Sequence, residues 1–164
     1  MGVKSLLTLS ILEILFIVGK RLKSLDTNIL IYAVNSSCKE HERANKLYED
    51  LLSAPSDWII ADQVLFEFYT ALQNPNILAK PLSKQKALEQ VRFLREDSGA
   101  MCCAYEISAW DNLVTMLSAS RDKNRIIFDF VLAITLKMNG VKTFYTRNKK
   151  DFESLGLFEV VNPI

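Results

Sequence analysis

From about residue 25 onward, short apolar runs alternate with longer amphipathic stretches. The apolar runs are typical of buried strands and lie at residues 25–34, 58–60, 101–107, 141–145 and 158–161. Between them, apolar residues recur at helical spacing, which predicts helices at residues 41–53, 63–72, 83–96, 108–120 and 128–139. Strands separated by helices of this length predict one α/β domain, a three-layer α/β/α sandwich with a mostly parallel central sheet.

Single residues mark the predicted ends of several of these helices. Asp62 follows an apolar run directly and is a predicted N-cap, and Ser83 is expected to open the next helix. In that helix we expect Leu88 to face the core. Gly140 stands where a C′ glycine would end the last long helix.

The first 22 residues do not fit the alternating pattern. Residues 6–19 are apolar, and as a helix they would rise only about 21 Å, short of the roughly 30 Å of a bilayer core. Glu13 interrupts the run, and basic residues follow it in place of a signal-peptide cleavage site. We therefore expect residues 1–22 to be an apolar extension, either an added helix or a translation start placed too far upstream, and no membrane association.

Composition excludes several classes of protein. The chain has 164 residues, 49% of them hydrophobic, and a formal net charge of +1, which predicts one globular domain rather than a disordered or globally basic chain. The three cysteines are an odd number without a CxxC pair, which argues against a disulfide scaffold or a cysteine zinc site. A reducing, cytoplasmic location is the simpler expectation.

Acidic residues fall where strand ends or neighbouring helix turns are predicted. In open α/β sheets, sites form at the carboxyl ends of strands. Each residue alone has an ordinary explanation: Asp26 in a turn, Glu67 on a polar helix face, and Asp129 or Asp151 in a helix cap. Their joint placement favours a functional site.

Basic residues cluster in two places beside these acids. One group surrounds Asn148 and comprises Lys142, Arg147, Lys149 and Lys150; the other precedes Asp129 and comprises Arg121, Lys123 and Arg125. Both groups are consistent with a solvated loop or with contacts to the phosphates of an RNA strand.

Four segments together resemble the PIN domain, and most closely the VapC-type ribonuclease toxins of type II toxin–antitoxin pairs. They read LDTNILIYA, FEFYTAL, FDFVLAITLKMNGVKTFYTRNKKDF and LGLFEVVNPI. The resemblance covers residues 23–164 and implies a metal-dependent endoribonuclease domain. It also implies an RNA substrate, a cognate VapB-like antitoxin and a homodimer.

The resemblance assigns roles to particular positions. It implies that Asp26, Glu67 and Asp129 form the acidic set that binds the metal. The family often has a fourth acid where this chain has Asn148, and Asp151 is a candidate to replace it.

The chemistry of these residue types agrees with the resemblance. Carboxylates gathered in one place raise each other's pKa, and Mg²⁺ or Mn²⁺ would offset that repulsion. We expect Asp26 and Asp129 to be ligands and Glu67 to be either a ligand or the base for an attacking water. Asn28, Thr146 and Asn148 are expected to orient the acids by hydrogen bonds.

Two other functions remain open at this point. Asn148 in the position of the fourth acid favours a non-catalytic RNA-binding or scaffold relative. The LDTN segment also resembles haloacid-dehalogenase-type phosphatases, whose second acid would fall at Asn28.

Overall fold

A computed structural model describes residues 21–120 and 126–164, in which five strands run parallel to one another. The strands are β1 (Leu22–Leu25), β2 (Ile59–Ala61), β3 (Met101–Cys103), β4 (Val141–Tyr145) and β5 (Glu159–Val161). Strand β4 lies between β1 and β5, and β2 pairs with β3. A single parallel bridge between Lys23 and Trp58 joins the two groups, which gives the order β3-β2-β1-β4-β5.

The helices form two groups around these strands. They are α1 (Thr27–Val34), α2 (His41–Ser53), α3 (Asp62–Leu72), α4 (Lys84–Arg92), α5 (Trp110–Ala119), α6 (Ile126–Met138) and α7 (Lys149–Glu153). Helix α1 packs against α2 and α3, and α3 packs against α4. Helix α6 packs against α5, α7 and the strands. The predicted α/β sandwich with a parallel sheet is therefore confirmed.

The first predicted strand is wrong over most of its length. Strand β1 ends at Leu25, and residues 27–34 form helix α1. The apolar run forms a helix in which Ile29, Leu30 and Ala33 are all buried, at a spacing that places them on one helical face. Asp26 keeps an extended backbone with φ −81° and ψ 156°, so the chain changes from strand to helix at this residue.

Three smaller predictions also need correction. Ala61 is the N-cap of α3, and Asp62 lies inside the helix, where its carboxylate forms an ion pair with Arg95. The strand predicted at residues 101–107 stops at Cys103. Leu88 is 45% exposed, because α4 buries Ala87 on its inner face instead.

Other boundaries agree with the sequence pattern. Strand β4 and helix α2 have the bounds that the pattern predicts. The hydroxyl of Ser83 caps α4 by accepting a hydrogen bond from the backbone N–H of Lys86. Gly140 follows α6 with φ +79°, a backbone conformation that residues with a Cβ seldom adopt.

The core fixes the strands that carry the site. Trp58 and Phe144 are fully buried, and Phe144 packs edge-on against Phe152 of α7 with ring centroids 4.9 Å apart. Because burying an aromatic side chain contributes about 1.5–3 kcal/mol, these contacts hold β2, β4 and α7 in place. The three cysteines are free.

Two expectations concern the membrane and the start of the chain. Within residues 21–120 and 126–164, none of the helices is long and apolar enough to cross a membrane. Residues 1–20, which make up most of the expected apolar extension, lie outside the described residues, as does Arg125.

Candidate metal centre

Four different segments bring acidic residues toward the carboxyl ends of β1 and β4. Asp26 follows β1, Glu67 lies on α3, Asp129 is in the first turn of α6, and Asp151 is in the first turn of α7. The parallel pairing of Leu25 with Tyr145 brings the residue after β1 beside the residue after β4. The backbone N–H of Asp26 donates to the carbonyl of Tyr145 at 2.9 Å.

Asp26 is held in a network of neutral hydrogen-bond donors. The Thr146 hydroxyl and the Asn28 side-chain amide each donate to Oδ2 of Asp26 at 2.6 Å. The Asn28 amide oxygen accepts from the backbone N–H of Arg147 at 3.2 Å, and Thr146 Oγ1 accepts from the backbone N–H of Asn148 at 3.0 Å. The network therefore joins the end of β1 to the loop after β4.

Burial has the largest effect on the ionisation of Asp26. The residue is 9% exposed, and burial raises the pKa of its carboxyl. The hydrogen bond from Thr146 works in the opposite direction, and the charge of Glu67 raises the pKa further. The net effect is a raised pKa, so the ionised form of Asp26 is held at a cost in free energy.

Glu67 is exposed, yet hydrogen bonds reach both of its carboxylate oxygens. The Thr27 hydroxyl donates to Oε2 at 2.8 Å, and the Gln63 side-chain amide donates to Oε1 at 2.9 Å. No motif in the sequence assigns a role to Thr27 or to Gln63. The spacing of Gln63 and Glu67, four residues apart on one helix, could have indicated their contact.

Asp129 shows most clearly that the acids are neighbours. Its pKa is raised to about 6, first by burial and then by the charges of Asp151, Asp26 and Glu67. The charges of the other three acids therefore all reach Asp129. The structure thus brings together the three acids of the predicted set and the candidate fourth acid.

Asn148 and Asp151 differ in how they approach the site. Asn148 is the N-cap residue of α7, and its backbone N–H contacts Thr146. Asp151 has the largest electrostatic effect on Asp129 of any neighbouring charge. Of the two, Asp151 is the one that adds negative charge beside Asp129.

The residues fit a hard divalent cation in kind and number. The donors are carboxylate oxygens, which Mg²⁺ and Mn²⁺ prefer, and a cation would relieve the repulsion that raises the pKa of Asp129. Within the described part of the chain, no three acidic, histidine or cysteine side chains stand close enough to hold one ion together. Mg²⁺ is commonly bound by only one or two carboxylates with water and phosphate completing its shell, so this arrangement suits it.

The predicted RNA-contacting residues that the structure describes lie beside this centre and differ in their contacts. Arg147 bonds to the Tyr32 hydroxyl, and its guanidinium lies 3.7 Å from a carboxylate oxygen of Glu40. Lys149 forms an ion pair with Glu153 at 3.2 Å, four residues along α7. Lys150 is exposed.

Comparisons with known proteins identify the family of the chain. The family model of the PIN domain matches residues 23–156. The chain is 35% identical over 142 residues to ribonuclease VapC24 of Mycobacterium tuberculosis, a match that covers 86% of this chain and 96% of the relative.

Solved structures share the fold at lower identity. The crystal structure of Mycobacterium tuberculosis VapC20, a toxin that cleaves the sarcin–ricin loop, superposes with a TM-score of 0.65 at 16% identity, covering 85% of this chain and 99% of that one. A toxin–antitoxin complex from Klebsiella pneumoniae gives a TM-score of 0.58 at 19% identity, covering 87% of this chain and 98% of that one. With the family match and the 35% identity, this chain belongs to the PIN-domain family, in its VapC ribonuclease branch.

Proposed function

We propose that this chain is a divalent-metal-dependent endoribonuclease and the toxin of a type II toxin–antitoxin pair. The observation that carries the metal centre is the rise in the pKa of Asp129 to about 6, to which the charges of three other acids contribute. Strongly shifted pKa values cluster at functional sites, and neighbouring like charges are one of the arrangements that produce such shifts. Membership of the VapC ribonuclease branch supplies the substrate class, RNA.

The acids have different roles at the proposed centre. Asp26 and Asp129 hold the Mg²⁺ or Mn²⁺ ion, and Glu67 is either a further ligand or the base that takes a proton from the attacking water. Asp151 supplies the fourth acid in place of Asn148. When bound, the ion polarises a phosphoryl oxygen and lowers the pKa of a coordinated water.

Neutral side chains keep the ligands in position. Thr146 and Asn28 both donate to Oδ2 of Asp26, which fixes the orientation of that carboxylate. Asn148 contributes its backbone N–H to Thr146 and so supports the same network. Because none of these donors carries a positive charge, they do not neutralise the charge of the Asp26 carboxylate, which remains available to a cation.

RNA phosphates are bound by the basic residues next to the acids. Lys150 and Lys149 lie on α7, which also carries Asp151, and Arg147 precedes that helix. Arg125 precedes α6 in sequence and is the fourth proposed contact. Contacts of this type bind any RNA sequence and position the scissile bond at the acidic centre.

The remaining parts of the proposal concern partners and location. The structural match to a toxin–antitoxin complex supports a VapB-like antitoxin as the protein partner. We propose a homodimer in the cytoplasm, with residues 23–164 as the nuclease domain and residues 1–22 as an extension.

The proposal is tested by RNA cleavage with purified protein. Labelled single-stranded and stem–loop RNAs should be cut in the presence of Mn²⁺ or Mg²⁺, and EDTA should stop the reaction. The double variant Asp26→Asn, Asp129→Asn should lose cleavage by at least about a thousandfold, because a cation contributes several kcal/mol to transition-state stabilisation. The matched control is Glu89→Gln, an exposed acid on α4, which should cleave as the wild type does.

Two outcomes would contradict the proposal. Undiminished cleavage by the double variant would remove the acids from the mechanism. Absence of cleavage by the metal-loaded wild type would favour the non-catalytic RNA-binding relative that Asn148 suggested. The phosphatase alternative has no support from the family match.

A further inference from the structure

We infer that Gln63 is a positioning residue that fixes Glu67 relative to the start of α6 and so sets the spacing of the acids that bind the cation. The inference rests on the proposed function. Gln63 lies in the first turn of α3, four residues before Glu67. One side-chain amide nitrogen of Gln63 donates both to Oε1 of Glu67 at 2.9 Å and to the carbonyl of Phe128 at 3.2 Å.

The second of these bonds joins two separate helices at the site. Phe128 is the residue before Asp129 in the first turn of α6. Gln63 therefore contacts one acid of the set directly and the backbone next to another. Since α3 and α6 are 65 residues apart at this contact, the bond is a tertiary restraint on the separation of Glu67 and Asp129.

The orientation of the Gln63 amide follows from its neighbours. A carboxylate oxygen and a backbone carbonyl only accept hydrogen bonds, so the NH₂ group of Gln63 must face both of them. This leaves Oε1 of Gln63 buried, with no hydrogen-bond partner among the residues that the structure describes. The two acceptors thus fix which side of the Gln63 amide faces Glu67 and α6.

An amide suits the position better than a charged side chain. Thr27 donates to the other oxygen of Glu67, so two neutral donors restrain the carboxylate from opposite ends. A lysine or arginine at position 63 would restrain Glu67 equally well, but its charge would replace the cation. A glutamate there would repel Glu67. Glutamine restrains the carboxylate without neutralising its negative charge, which remains available to the cation.

The chain contains a matched control for this contact. Gln85 and Glu89 are also four residues apart on one helix, α4, and the Gln85 amide donates to Oε1 of Glu89 at 3.2 Å. Neither residue belongs to the proposed centre. Gln63→Met and Gln85→Met each replace an amide with an apolar side chain of similar length, at a half-buried position in the first case and an exposed one in the second.

The decisive measurement is Mn²⁺ binding in the absence of RNA, by titration calorimetry of the full chain. Loss of a residue that orients a ligand commonly weakens metal affinity by about 10–100-fold, and we expect that range for Gln63→Met. Gln85→Met should bind Mn²⁺ within about twofold of the wild type. RNA cleavage by Gln63→Met should fall at limiting Mn²⁺ and recover at saturating Mn²⁺, which a general loss of folding would not produce.

A double-variant cycle locates the effect at Glu67. In a Glu67→Gln background the change Gln63→Met should weaken Mn²⁺ binding by less than about threefold, because the restrained carboxylate is absent. Equal losses in both backgrounds would overturn the inference. If Gln63→Met does not fold, Gln63→Asn takes its place, since it keeps an amide but withdraws it by one methylene.

Different results would contradict the proposed function and the role of Gln63. A wild-type chain that neither binds Mn²⁺ nor cleaves RNA contradicts the proposed function itself. A wild type that does both, with Gln63→Met binding Mn²⁺ as tightly as Gln85→Met does, contradicts only the role of Gln63.

Discussion

The two halves of the acidic centre are built in different ways. The strand half consists of Asp26, Asn28 and Thr146, where short hydrogen bonds join a buried carboxylate to two neutral donors. The helix half consists of Glu67 and Asp129, which come from two helices. Burial raises the pKa of Asp129 to about 6, and the charges of Asp151, Asp26 and Glu67 add to that rise. One half is connected by hydrogen bonds, and the other brings like charges together.

The difference shows what each half contributes. Backbone pairing of β1 with β4 places the strand half, so its geometry exists whether or not a cation is bound. In the helix half, the hydrogen bonds of Gln63 join α3 to α6 beside the acids. Repulsion between the carboxylates acts against this restraint. We therefore expect removal of a polar group to destabilise the strand half, and removal of a charge to stabilise the helix half.

The largest effect on stability is expected from Thr146→Val. The Thr146 hydroxyl is fully buried, donates to the Asp26 carboxylate and accepts from the backbone N–H of Asn148. Its removal takes away one of the two donors to Oδ2 of Asp26 and the acceptor of the Asn148 N–H, at a cost of about 2 kcal/mol in the free energy of unfolding. Urea unfolding at pH 7 measures this loss.

A threonine on β4, the strand that ends just before Thr146, serves as the control. Thr143 of β4 donates to Glu159 in an exposed hydrogen bond at 3.2 Å. Thr143→Val should change the free energy of unfolding by no more than about 0.5 kcal/mol, as is usual at exposed positions. Equal destabilisation by the two valine variants would show that the Thr146 hydroxyl contributes no more to stability than the Thr143 hydroxyl does.

An opposite and smaller effect is expected from Asp129→Asn in metal-free protein. The pKa of Asp129 is about 6 in the folded chain and about 3.8 when unfolded, so the folded chain binds more protons between these values. The stability of the wild type therefore falls as the pH rises from about 4 to about 6. Asp129→Asn lacks this loss and should be more stable above pH 6, on the order of 1 kcal/mol after allowance for solvent screening.

The pH and metal dependence of this gain distinguish repulsion from a general packing effect. Urea unfolding of Asp129→Asn and wild type should give nearly equal free energies at pH 3.5 and diverge through pH 6. Saturating Mn²⁺ should reverse the order, because the cation stabilises only the chain with the full acidic set. A destabilised variant at pH 7.5 without metal would contradict the account of the helix half.

The smallest effect is expected at the basic edge of the site. Lys150→Ala should weaken binding of any RNA by roughly threefold at 0.1 M salt and reduce the salt dependence of binding by about one phosphate contact. Lys137→Ala, in the last turn of α6 at the other end of that helix from Asp129, is the charge-matched control. Equal losses for both lysines would show that binding follows net charge alone.

Sequence patterns predicted the elements whose periodicity is unambiguous. Residues 141–145 form a strand with a glycine before it, and residues 41–53 form a helix, both as expected. Residues 25–34 were misassigned because β-branched and aliphatic residues suit a buried strand and a buried helix equally well. Only the packing of α1 against α2 and α3 decides between the two.

For the site, the sequence alone determined which acids are candidates, because carboxylates beside apolar segments at strand ends are costly without a purpose. It also determined the family, since the spacing of those acids and the flanking motifs lie in the chain itself. Only the tertiary structure decided that the charge of Asp151 on α7 acts on Asp129 of α6, and that Gln63 of α3 donates to the carbonyl of Phe128 on α6. Both interactions connect residues on different helices, and no local pattern of the sequence specifies the distance between two helices.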